Sequence, residues 1–338
     1  MSVEIEAHTA PPHPRRAPVS STRCDGAIFV GLVNNMPDAA LASTEAQFSA
    51  LLAAAAAAGR HSVQLRFSSL PEVPRGPDAR ARIARGYCPI ETLLAAEPDA
   101  LIVTGTEPIA ARLADEPYWR RLVELITWAE EHAVASIWSC LAAHAVVESI
   151  DGIQRRRLAE KRCGVFAHDI LAGHALLDGV SAPLPMPHSR WNELPVEALR
   201  AAGYEILSFS PESGADAFVR HDQSLMLFFQ GHPEYEDTTL LKEYRRDVGR
   251  YLNGQQSHYP TLPRGYLSAE GRELLEAFEA RALGERSPAL LEDFPFAAAA
   301  ATLRNTWRPA AVTLYRNWLD FIAAARASSA EEVSLAGP

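Results

Sequence analysis

The feature that most constrains the fold is the alternation of short, strand-length runs with segments of helical length. Residues 26–33 (GAIFVGLV) and 100–103 (ALIV) are wholly apolar and 134–139 (VASIWS) nearly so. Each is too short for a helix and too apolar to keep a solvent face, while 63–67 (VQLRF) alternate as a further strand. Between them, residues 43–59 open on Ser43-Thr44-Glu45, continue through Phe48 and Leu51 into a poly-Ala stretch and end at Gly59. Residues 118–131 are amphipathic at helical spacing. Strands buried on both faces and separated by helices imply an α/β fold with a doubly wound, mostly parallel sheet.

The remaining segments fill in the plan. Residues 71–86, rich in Pro, Gly and Arg, read as a loop. Beyond Gly164, residues 165–171, 205–210, 217–219 and 225–229 read as strands on short connections, some of them antiparallel additions at a sheet edge. Residues 238–252 read as a helix with Thr238 as its cap. After Gly254 the composition shifts to Pro, Ser and Gln, followed by helices over 269–283 and 309–325. The expected organisation is a disordered tail over 1–22, an α/β domain over 23–253, and a helical extension over 254–338 packed on the same domain.

Composition excludes several classes. With 338 residues, 48% of them hydrophobic, the chain can bury a sizeable core. A formal charge of −10 gives no basic surplus for nucleic acid or an anionic membrane. No apolar stretch reaches the ~18 residues a membrane span needs, and the Pro- and His-rich N-terminus lacks the apolar segment of a secretory signal. Cys24, Cys88, Cys140 and Cys163 show no CxxC pairing, so neither a zinc knuckle nor a redox dithiol is expected. Free thiols in a cytoplasmic protein without a bound metal are the expectation.

Two segments carry chemistry. In Val134-Ala-Ser-Ile-Trp-Ser-Cys140-Leu-Ala-Ala-His144, a strand ends in a cysteine and a helix begins at once. Such an elbow lifts a nucleophile above the carboxyl edge of a sheet and sets it at a helix N-terminus, where free N–H groups favour a thiolate and an oxyanion. In Leu225-Met-Leu-Phe-Phe-Gln-Gly-His232-Pro-Glu234-Tyr235, a second apolar strand delivers a histidine with a carboxylate two residues later. A carboxylate on one imidazole nitrogen leaves the other free to act as base. Open α/β sheets bind ligands at the carboxyl edge of their strands. Together the two motifs point to a Cys140–His232–Glu234 triad.

The strand-Cys-helix followed by Gly-His-Pro-Glu resembles the class I glutamine amidotransferase-like fold. Within it the chain is similar to the homoserine O-acyltransferase family. The resemblance rests on Asn34-Asn35-Met36-Pro37, Thr44-Glu45-x-Gln47-Phe48, Gly86-Tyr87-Cys88, residues 99–105 (DALIVTG), Glu160-Lys161-x-x-Gly164-Val165-Phe166-x-His168 and Pro187-His188-Ser189-Arg190. It continues through residues 231–235, Glu243-Tyr244-x-Arg246-Asp247, Thr306-Trp307-Arg308 and Asn317-Trp318-Leu319, in order over about residues 26–325. The chain departs from the family pattern at Leu141, His144 and Asn35, and in the loop after Gly105.

The resemblance makes residues 23–253 a glutamine amidotransferase-like catalytic domain. It implies acyl transfer from an acyl-CoA co-substrate to L-homoserine through an acyl-cysteine, in methionine biosynthesis, with no permanently bound cofactor. It implies substrate roles for Lys161, Ser189, Arg190 and Arg246, Arg246 being the clamp for the acceptor's carboxylate. It places the oxyanion and acyl pocket at Asn35, Gly105, Thr106, Ile109 and Leu141. Succinyl-CoA is the expected donor, with acetyl-CoA as the alternative. The family's selecting position falls on Ile109 or Ala110, neither acidic, so nothing there repels a distal carboxylate; Glu107 lies two residues before. Cys24, Cys88 and Cys163 are expected to be inert thiols, and the assembly a homodimer. A glutaminase is the nearest rival; such enzymes carry glycines two residues either side of the cysteine, where this chain has Trp138 and Ala142. A catalytically silent binding protein is the other.

Overall fold

The computed structural model describes residues 3–5, 23–171 and 173–335. In chain order the strands are β1 (Val3–Ile5), β2 (Ile28–Val33), β3 (Val63–Ser68), β4 (Ala100–Thr104), β5 (Ala135–Ser139), β6 (Arg156–Ile170), β7 (Leu184–Glu193), β8 (Glu205–Ile206), β9 (Ser208–Ser210), β10 (Gly214–Ala215), β11 (Ala217–His221) and β12 (Leu225–Phe229). The helices are α1 (Asp38–Gly59), α2 (Pro77–Gly86), α3 (Ile90–Ala95), α4 (Trp119–His132), α5 (Leu141–Asp151), α6 (Val196–Ala201), α7 (Thr239–Leu252), α8 (Ala269–Gly284), α9 (Phe296–Ala301) and α10 (Arg308–Leu335).

Eight strands form the main sheet in the order β1-β3-β2-β4-β5-β12-β11-β8. The run from β1 to β12 is parallel, and β11 and β8 continue it antiparallel. The doubly wound α/β reading is thus what the chain adopts. Within apolar β2, side chains still divide by face: Ile28, Val30 and Leu32 join one core cluster, Phe29 and Val33 the other. The first cluster is closed by α1 and α10, the second by α3, α4 and α5. A third cluster gathers α7, α8 and Trp307. Register sets the active edge, because Thr104, Ser139 and Phe229 lie abreast at the carboxyl ends of β4, β5 and β12. The residues that follow leave the sheet side by side.

Several expectations are corrected. Helix α1 starts at Asp38 instead of Ser43: Pro37 sits at its cap and Asp38 places an acid in the first turn. Part of the loop expected over 71–86 is α2, which opens on a proline and an aspartate but buries only Ala79, so it shows little apolar periodicity. The strand expected over 165–171 is the end of the much longer β6, which belongs to a second sheet of order β10-β9-β6-β7. Its partner β7 covers Ser189 and Arg190, in a stretch the sequence does not mark as a strand. Strand β7 is an edge, and Pro185 and Pro187 share one parity along it, facing Ala167 and Val165 in register. Prolines at such positions forfeit no ladder bond when their polar groups turn outward. Residues 3–5 of the expected disordered tail form an edge strand beside β3; the rest of that tail lies outside the described residues.

Helix α10 supplies fully buried Leu314, Tyr315, Trp318 and Leu319 to the core beneath the sheet. Trp318→Ala should therefore cost about 3–5 kcal/mol, the range for emptying a large buried aromatic. Denaturant unfolding followed by far-UV dichroism would show this as a lowered midpoint at nearly unchanged slope.

Candidate active site

Cys140 caps α5 in a conformation that L-residues rarely adopt, φ 53° and ψ −111°. Its own N–H donates to the Phe229 carbonyl at 2.7 Å, so β12 holds the turn in place. Gly105, leaving β4, presses on the turn from the other side. A Cβ there would stand 2.6 Å from Leu141 Cβ and 2.9 Å from Leu141 N, so only glycine fits against the amide following the cysteine. That amide belongs to the first helical turn, whose N–H groups have no partner within the helix.

His232 follows β12 by three residues and stands beside Cys140. Its Nδ1 lies 2.8 Å from Glu234 Oε1, and its ring stacks on Tyr235 with centroids 4.2 Å apart. Both His232 and Glu234 are buried. Burial alone would lower the imidazole's pKa. The Glu234 carboxylate and Cys140, each acting as charge and as hydrogen-bond partner, together outweigh it, and the pKa stands well above the ordinary value. A buried imidazolium between a carboxylate and a thiol is thereby favoured.

The turn carrying His232 is fixed from beneath. The Gly231 N–H donates to Asp216 Oδ1 at 2.7 Å, and the His232 N–H donates to the Pro187 carbonyl at 2.8 Å. A Cβ on Gly231 would meet Met186, Asp216 and Pro187 within 2.8 Å. The outward carbonyl of an edge-strand proline thus becomes a support for the site. On the far side, Trp307 Nε1 donates to the Tyr235 carbonyl at 2.9 Å, tying the segment before α10 to the same turn.

Cys140, His232 and Glu234 line one pocket with Gly105, Thr106 and Leu141. Lys161, Ser189 and Arg246 line it too. Lys161 Nζ donates to Asp247 Oδ2 at 2.6 Å; burial opposes its charge, but Glu243, Cys163 and Asp247 raise its pKa overall. The Ser189 hydroxyl donates to Glu243, which also accepts from the Tyr235 hydroxyl at 2.7 Å. Arg246 Nε donates to Asp247 Oδ1 at 3.1 Å.

Three expected site residues lie elsewhere. Arg190 is buried away from the pocket, donating to His188 Nδ1 at 3.3 Å, to the Asn192 carbonyl at 2.7 Å and to the Ser213 carbonyl. Burial lowers its pKa to about 10. Asn35 clamps strand ends: its N–H donates to Thr104 Oγ1 at 2.8 Å and its Oδ1 accepts from Leu70 N–H at 3.0 Å, so neither is aimed at a substrate. Ile109 is 69% exposed, its N–H bound to Glu116 Oε1 at 2.8 Å, and it does not line the pocket. Glu107 takes its place on the wall, paired with Arg250.

Sequence reasoning missed Arg250 and Asp216. Arg250 was legible by spacing, since it lies four residues after Arg246 on the same helix. Asp216, on a short connection between small strands, had no such signal. Cys163 is a poor nucleophile, burial pushing its thiol up to about 12. Among the described residues no group of three or more His, Cys, Asp and Glu side chains is arranged to hold a metal ion, and no helix is long and apolar enough to cross a membrane.

The family model for homoserine O-succinyltransferase matches residues 16–329. The chain belongs to the homoserine O-succinyltransferase family. A homoserine O-succinyltransferase of Methylorubrum extorquens is 48% identical over 293 residues, covering 87% of this chain and 86% of the relative. One from Rhodopseudomonas palustris is 47% identical, covering 86% and 87%, and one from Bradyrhizobium japonicum 45%, covering 88% and 90%. Among solved structures, a glutamine amidotransferase from Methylobacillus Flagellatus is similar at 15% identity and TM-score 0.48, covering 88% of this chain and 95% of that one. Within the homoserine O-succinyltransferase family this chain thus has a pocket in which Cys140 and His232 meet a wall of charged residues.

Gly105→Ala should lower turnover by roughly 100-fold in steady-state assays, the scale of an ångström-sized misplacement at a reacting centre. Ile109→Ala should leave the KM of the acyl donor unchanged in steady-state assays, as its exposed position requires.

Proposed function

We propose that the protein transfers the succinyl group of succinyl-CoA to the hydroxyl of L-homoserine by a ping-pong route through an acyl-cysteine. The single observation that carries this reading is Cys140 on its positive-φ elbow beside His232, with Glu234 2.8 Å from the other imidazole nitrogen. Membership of the homoserine O-succinyltransferase family supplies the substrate class.

In the first half-reaction the Cys140 thiolate attacks the thioester carbonyl. The C–S bond to CoA breaks, and His232 returns a proton to the departing sulfur. In the second, the homoserine hydroxyl gives its proton to His232, its oxygen attacks the acyl-cysteine, and the thiolate is released. Glu234 orients the imidazole and stabilises its charged form. The Leu141 N–H is well placed for the oxyanion of both steps, with the backbone at Gly105 and Thr106 as the neighbouring source. Arg246, set by Asp247, is the clamp for the α-carboxylate of homoserine, and Lys161 and Ser189 border the same space. Exchanging a thioester for an oxygen ester is favourable, so neither ATP nor a metal is required.

One set of assays separates this reading from its rivals. The full chain should release CoA beyond one equivalent per enzyme from succinyl-CoA only when homoserine is present, and should release no ammonia from glutamine. Ammonia release, or no reaction with either pair, would overturn it.

The ionisation of His232 gives a second prediction. Glu234→Gln removes the foremost influence raising its pKa, while burial, which lowers it, remains. The imidazole then loses its proton at lower pH, so the limb of the kcat profile that reports His232 should move to lower pH. Turnover should fall at least about tenfold, yet less than in His232→Asn. A limb unmoved by Glu234→Gln would separate Glu234 from the imidazole's charge.

A further inference from the structure

Helix α7 presents Glu243, Arg246, Asp247 and Arg250 along one wall of the pocket, spaced i, i+3, i+4 and i+7. Their partners are unequal. Asp247 holds Lys161 at 2.6 Å and Arg246 at 3.1 Å, while Glu243 is committed to the hydroxyls of Ser189 and Tyr235. Burial opposes the Asp247 charge, but Lys161 and Arg246 win and hold its carboxyl below the ordinary range. Lys161, Glu243 and Asp247 form the largely buried centre of one knot, with Arg246 on its exposed side.

Arg250 stands at its margin. It lies 3.7 Å from Asp247, and its nearer partner is Glu107 Oε1 at 3.3 Å, reaching across from the loop after β4. The two side chains are 40% and 60% exposed, so water screens the pair and little free energy holds it closed. Arg250 is therefore the cation of this wall whose carboxylate is most easily exchanged for another, because Glu107 is 60% exposed whereas Asp247, which holds Lys161 and Arg246, is 11% exposed. Both residues line the pocket that holds Cys140.

We infer that Arg250 receives the distal carboxylate of the acyl donor, and that Glu107 occupies the guanidinium until the donor displaces it. The inference rests on the proposed succinyl transfer and deepens it. A succinyl group brings a carboxylate that replaces the Glu107 carboxylate one for one, without stranding a charge. An acetyl group offers Arg250 nothing and leaves the Glu107–Arg250 pair intact. Selection between the donors thus lies with a pair bridging α7 and the loop after β4, two residues before the position that sequence reasoning favoured. Glu107 disfavours succinyl only to the extent that it competes for Arg250.

The test is kcat/KM for succinyl-CoA and for acetyl-CoA, at saturating homoserine, on the wild-type enzyme, Arg250→Gln, Glu107→Gln and the double variant. Arg250→Gln should lower the succinyl-CoA value about tenfold or more and change the acetyl-CoA value less than about threefold. Glu107→Gln should raise the succinyl-CoA value, and the double variant should match Arg250→Gln, because Glu107 acts only through Arg250. Equal losses with both donors would place Arg250 on the CoA portion and overturn the inference. So would a loss confined to a raised homoserine KM, which would assign Arg250 to the acceptor, or a Glu107→Gln enzyme indistinguishable from wild type. A wild-type enzyme that turns over neither donor would instead remove the proposed function itself, and this inference with it.

Discussion

The backbone of Cys140 is the constraint on which the site depends. A non-glycine residue at φ 53° and ψ −111° stores strain on the order of 1–3 kcal/mol and persists only where its surroundings leave no alternative. Here the surroundings are three parallel strands in level register. Strand β12 accepts the Cys140 N–H, Gly105 after β4 closes against Leu141, and α5 begins immediately beyond. The strain lifts the sulfur out of the sheet edge and sets it beside the first-turn N–H groups of α5. Stability built elsewhere in the sheet supports geometry at one residue.

The second part of the machinery is held by groups far away in sequence. His232 keeps its orientation because Asp216, Pro187 and Trp307 each grip the turn around it. Asp216 is fully buried, and burial pushes its carboxyl up, against the opposing influence of His168 and the Gly231 N–H. Neighbouring His188 is neutral, its pKa driven well below the ordinary value by burial and by Arg190. His144 is likewise driven down, to about 3, and sits 3.1 Å from Gln230 Oε1. The charged chemistry is thus concentrated at His232, while the histidines behind it serve as uncharged hydrogen-bonding struts.

What was legible in the sequence follows from how each feature is encoded. Cys140 and His232 follow mostly apolar strands, and an apolar run broken by a reactive side chain is visible one segment at a time. Arg246 and Lys161 were reached only through family resemblance, because a basic residue on a charged helix or strand looks like a solvated one. Arg190 was misplaced for a related reason: nothing local distinguishes a guanidinium facing substrate from one satisfied by buried carbonyls. Strand β7 was hidden by its prolines, which are tolerated only because β7 is an edge, a fact of the assembled sheet. Asn35 and Asp216 act through partners 69 and 15 residues away, beyond any local pattern.

In the proposed mechanism the acyl group rests on Cys140 between two half-reactions. Intact-mass spectrometry of the full chain after incubation with succinyl-CoA alone, followed by peptide mapping, tests it most directly. The prediction is a single succinyl adduct on the peptide carrying Cys140, absent in Cys140→Ala and discharged when homoserine is added. An adduct on Cys24, Cys88 or Cys163, or steady turnover by the Cys140→Ala enzyme, would contradict it.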